Sequence, residues 1–97
     1  VGKGDDITMV YLISYDLIEK PEESYEKLFD VIKSCKDYRH PLKSQWFIAS
    51  ARTATEIYNS LAAYVMKNDR LFVNEITPNR CGWLSTEDVE WLNKHGA

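Results

Sequence analysis

Hydrophobic and polar positions follow two periods along this chain, one of about two residues and one of about 3.6. Residues 9–17, MVYLISYDL, are apolar or aromatic at nearly every position before Asp16, with Ser14 the early interruption, so both faces of a strand here suit burial. A central strand is expected. Alternation puts Met9, Tyr11, Ile13 and Tyr15 on one face and Val10, Leu12, Ser14 and Asp16 on the other, so Asp16 sits where the strand runs out. Tyr25, Leu28, Phe29 and Ile32 then recur at helical spacing, and Cys35 continues the stripe as a packing residue. Pro21 suits the first turn of that helix because its missing N–H leaves no bond unmade, and Glu22, Glu23 and Glu26 favour the positive end of the dipole.

Pro41 disfavours a helix through the next stretch and limits a strand there to an edge or a break. Two short strands fit instead: residues 38–42, an edge carrying Arg39, His40 and Pro41, and residues 44–49, an interior strand dense in aromatic and branched side chains. Thr53 and Glu56 stand at capping-box spacing and open a second helix with Ile57, Leu61, Tyr64 and Val65 on its stripe, ended by Asn68 and Asp69. Residues 70–76 alternate as a strand before Pro78 and Gly82 break the chain. Ser85 with Asp88 caps a short final helix through Trp91 and Leu92, and Leu84 with Val89 takes the staple positions. Trp83 and Trp91 are expected to fasten this tail to the body.

The order strand, helix, strand, strand, helix, strand predicts an α+β protein of the ferredoxin-like split βαβ type (βαββαβ) with an appended C-terminal helix. Right-handed crossovers put the first and third strands side by side at the centre and both helices on one face. The other face then needs a cover. An aromatic open face favours a homodimer that buries it against its own copy.

Ninety-seven residues, 44% of them apolar, make one domain with a single small core, expected over residues 9–97. Residues 1–8, VGKGDDIT, differ in character and are expected to be a leader or a disordered N-terminal tail. Twelve basic and fifteen acidic side chains give a net charge of -3, which argues against nonspecific nucleic-acid binding through a strongly basic surface. Cys35 and Cys81 are too few and too far apart for a zinc site or a disulfide framework, and no apolar run is long enough to span a membrane. A cytoplasmic protein is expected.

Asp16 is the candidate chemical residue. A carboxylate at the end of a buried strand suits a metal ligand, and equally suits a side chain that hydrogen-bonds the following turn. The strand ending Tyr15-Asp16-Leu17, the ferredoxin-like order and the later Trp46-Phe47 strand resemble the small CRISPR-associated protein 2 group and its VapD-like and SinR-like relatives, over most of residues 9–76. The resemblance implies a homodimer in which Asp16 approaches its symmetry mate and the pair holds Mg²⁺ or Mn²⁺ for phosphodiester cleavage, making the protein a metal-dependent endonuclease. It also implies nucleic-acid binding, with Tyr15 orienting the site and Arg39, Lys43, Arg52 and Arg70 as phosphate contacts. The chain departs from the family pattern after residue 17, where Ile18, Glu19, Lys20, Pro21, Glu22 and Glu23 stand in place of basic residues. Acidic groups there repel a phosphate backbone. The alternative expectation is a non-catalytic ferredoxin-like homodimer acting in assembly with a protein partner.

Overall fold

A computed structural model describes residues 8–97; apart from Thr8, the stretch expected to be a leader or tail lies outside the described residues. The first strand, β1 (Met9–Asp16), occupies a central place. After it, Pro21 (ψ 148°) enters a 3-10 turn over Glu22–Tyr25, closed by Ser24 N–H donating to Pro21 O at 2.9 Å, and the α-helix α1 begins only at Glu26 (Glu26–Lys33). The expected helix is therefore shorter. Tyr25 leaves helical geometry at the junction (φ -102°, ψ 28°), and its hydroxyl is held by Asp69 across the fold.

The two predicted strands around Pro41 are β2 (Asp37–Leu42) and β3 (Gln45–Ser50), antiparallel, with an irregularity between Arg39 and Leu42 where the proline removes a ladder donor. α2 (Ala54–Ala62) carries the predicted capping box in full: Thr53 Oγ1 accepts from Glu56 N at 3.1 Å, and Glu56 Oε1 accepts from Thr53 N at 2.9 Å. It ends well short of Asn68. Successive turns follow, Tyr64 N to Leu61 O and Val65 N to Ala62 O, because Asp69 captures the Met66 amide at 2.7 Å and draws the chain into a loop. β4 (Arg70–Ile76) and α3 (Thr86–Lys94, capped by Ser85) fall as expected.

The sheet is four-stranded and antiparallel, ordered β2-β3-β1-β4, an α+β arrangement compatible with the ferredoxin-like reading. Register fixes the faces, since directly paired residues share one side. Tyr11, Ile13 and Tyr15 pair with Ile48, Trp46 and Leu71, and all but Leu71 belong to the main core with Leu28, Ile32, Ile57 and Leu61 from α1 and α2. The aromatic face of β1 is thus covered by helices, not left open. Val10, Phe47 and Ala49 point the other way and pack under α3 through Trp91 and Leu92. Trp91 fastens the tail as expected, at 7% exposure, whereas Trp83 stands 98% exposed in the link before α3. No described helix is long and apolar enough to cross a membrane.

Candidate functional site

The β1–β4 ladder brings Asp16 directly opposite Arg70, both exposed, at one end of the sheet. The β2–β3 turn joins them there, because Tyr15 N–H donates to Ser44 O at 3.1 Å and so ties the turn to the end of β1. A shallow pocket of about 170 Å³ results, lined by Tyr15, Asp16, Leu17, Glu22, Lys43 and Ser44. Asp16, Lys43 and Arg70 of the expected site therefore share one end of the molecule.

Tyr15 lines this pocket with little exposed surface, and Arg39 and Arg52 lie outside it. Tyr15 lies on the opposite face from Asp16, 7% exposed, where its hydroxyl accepts from Trp46 Nε1 at 3.0 Å and donates to Lys43 O at 3.4 Å. Burial raises its pKa, partly offset by the Trp46 bond. It packs as a core residue. Arg39 turns to α3, where its Nε and Nη2 both reach Asp88 Oδ1 at 2.8 Å. Arg52 lies beyond the far end of β3, beside the start of β1, and its guanidinium donates to Glu56 O at 3.0 Å. Two cations remain near Asp16, Lys43 on the β2–β3 turn and Arg70 at the start of β4.

Beyond its place in the β1–β4 ladder, Asp16 takes no side-chain hydrogen bond or ion pair among the described residues. The turn after it is organised by another carboxylate, Asp69, which accepts from Met66 N (2.7 Å), Tyr25 Oη (2.8 Å), Ile18 N (2.9 Å) and Glu19 N (3.2 Å). Burial opposes ionisation of Asp69, but these donors outweigh it and hold its pKa below the ordinary carboxylate value. The sequence alone offers Asp16 for this turn-holding role, as an alternative to metal binding, and Asp69 only as a helix stop. Adjacency in sequence favoured that reading; the partners at 18, 19 and 25 come from a remote segment.

A second unanticipated cluster fixes α3. Asp37 Oδ2 meets His95 Nε2 at 3.0 Å and Lys94 Nζ at 3.8 Å. Burial works against the Asp37 charge, yet His95, the Tyr38 amide, Trp91 and Lys94 together lower its pKa. His40, placed on the expected edge strand, is exposed but stacks on Trp46 with ring centroids 3.9 Å apart. Cys35 is half-buried, and burial raises its thiol pKa, as a packing residue requires.

The donor set does not fit Mg²⁺ or Mn²⁺ within one chain. Among the described residues no three His, Cys, Asp or Glu side chains gather into a metal-binding group, and Asp16 offers one carboxylate with Glu22 as its acidic neighbour in the pocket. Comparison with protein-family models, with curated proteins and with solved structures finds no match to this chain.

Proposed function

We propose that this chain is a ferredoxin-like, non-catalytic homodimer that serves as an assembly module, pairing through the part of the sheet that α3 leaves open. One observation carries this reading. α3 covers Val10, Phe47 and Ala49, while Phe72 (64% exposed) and Leu42 (47%) stand uncovered on the same face beside Ser14, Gln45 and Asp16. A helix on half of a sheet makes a step, and two steps related by a two-fold axis interlock. Asp16 stands beside Arg70 on the open half, so a two-fold copy can set each carboxylate against the partner's guanidinium. Nucleic acid is less favoured, since Arg39 is committed to Asp88 and Arg52 lies at the far end.

Sedimentation equilibrium tests this. The chain is expected to dimerise, and Phe72→Asp to yield a folded monomer whose melting no longer depends on concentration; a wild-type chain that stays monomeric at high concentration overturns the reading.

A metal-dependent phosphodiesterase is the second reading, favoured by the exposed Asp16 carboxylate flanked by Lys43 and Arg70. It requires a second copy to complete the ligand set. Cleavage of RNA or DNA with Mg²⁺ or Mn²⁺ that disappears in a still-dimeric Asp16→Ala variant supports it; no cleavage removes it.

A further inference from the structure

Between the sheet, α3 and the segment leading to α3 runs a groove of about 350 Å³, floored by Leu12, Phe47 and Ile76 and walled by Leu84, Val89 and Leu92. That volume lies at the lower end of the ~300–1,000 Å³ typical of sites that enclose a small organic group. Trp83 stands at its rim with 98% of its surface exposed. An indole so placed in water forgoes the burial that aromatic rings of this size ordinarily find.

The ring is presented by an anchored segment. On one side, the Arg80 guanidinium bonds Asn93 Oδ1 at 3.1 Å and the Ala97 carbonyl, which pins the segment to the end of α3. On the other side, Leu84 packs against the core under α3, and Ser85 accepts from Asp88 N at 3.2 Å as the helix cap. Knob and hole therefore occupy one face of one molecule, side by side. An isologous contact needs this arrangement, because the two-fold axis carries each ring to the other copy's groove.

We infer that Trp83 of each copy seats in the α3-side groove of the other, over Leu12, Phe47 and Ile76. This inference rests on the homodimer reading and names its central contact. The groove is continuous with the open half-face through Leu42 and Gln45, which belong to both. Charge disfavours a nucleic-acid base there: Arg80 is already engaged, and Glu87 on the adjoining first turn of α3 is acidic.

The test combines sedimentation equilibrium with acrylamide quenching of tryptophan fluorescence over a concentration series of the full chain. Trp46 and Trp91 are 5% and 7% exposed, so the quencher-accessible emission of the monomer comes from Trp83. That emission is expected to become shielded and blue-shifted in step with dimer formation. Trp83→Ala, a surface change that leaves folding intact, is expected to weaken dimerisation roughly 30-fold or more, as loss of a central interface tryptophan does, with partial recovery in Trp83→Phe. A dimer in which Trp83 stays accessible overturns the inference and spares the homodimer reading. Shielding that is independent of concentration, or that appears only on adding an oligonucleotide, overturns it too. Absence of any dimer removes both.

Discussion

One face of the sheet is closed by two helices and the other half-closed by one, and the two are built from alternate residues of the same strands. On the two-helix face each buried tyrosine hydroxyl has a partner: Tyr11 donates to Arg52 O at 2.6 Å, Tyr15 bonds Trp46 and Lys43, and Tyr25 donates to Asp69. Side chains from both helices and three strands interlock there, and Ile13, Leu28, Ile32 and Ile48 have no exposed surface. On the other face α3 is attached through a small apolar cluster and through charged pairs to the β2 edge, with Trp91 beside Asp37. The difference marks the first face as the structural core and the second as a surface whose cover is incomplete.

Matched core truncations probe this contrast most strongly. Leu61→Ala, beneath the helix pair, is expected to lower unfolding free energy by about 2–5 kcal/mol. Leu92→Ala, equally buried under α3, is expected at the low end of that range, because a single helix can reseat over the gap. Chemical denaturation of both variants decides it. Equal large losses would mean that α3 is as integral as α1 and α2.

The next effect is at Asp69. Asp69→Ala leaves four donors without their acceptor and is expected to cost about 3 kcal/mol. Folded Asp69 and Asp37 both titrate below the ~3.9 of an unfolded aspartate, so the native state binds fewer protons around that pH. Their contribution is therefore present above pH ~4 and is lost as the pH falls through the folded values. In a thermal-melt series against pH, Asp69→Ala should flatten the acid limb; an unchanged limb would contradict the assignment.

Arg39→Ala gives the smallest effect, about 1–2 kcal/mol, by leaving Asp88 buried without its partner. Its signature is local: Trp91 becomes more accessible to quencher while amide exchange at Ile13 and Ile48 is unchanged. Uniform loosening of both faces would show that they unfold as one unit.

Much of the fold was legible in local chemistry. Strand 70–76 is as expected, the capping box at Thr53 and Glu56 is complete, and the central place of β1 follows from its two apolar faces. The helix ends were misjudged where a remote group intervened: Asp69 shortens α2 through Met66 and bends the start of α1 through Tyr25. The shared position of Asp16, Lys43 and Arg70 follows from strand order and turn placement. The hydroxyl of Tyr15 goes to Trp46 and the guanidinium of Arg39 to Asp88, because alternation tells which residues share a face, but not which element lies over it.

The sequence by itself determined the order of elements, the alternation within each strand, the caps and the net charge of -3. These are short-range properties, set by propensity, hydrogen bonding within a few residues and net charge. Tertiary structure alone decided that the tyrosine face of β1 goes to the helices, that α3 covers half of the other face, and that Asp69, not Asp16, holds the turn. Each of these depends on contacts between segments tens of residues apart, where sequence periodicity carries no information about partners.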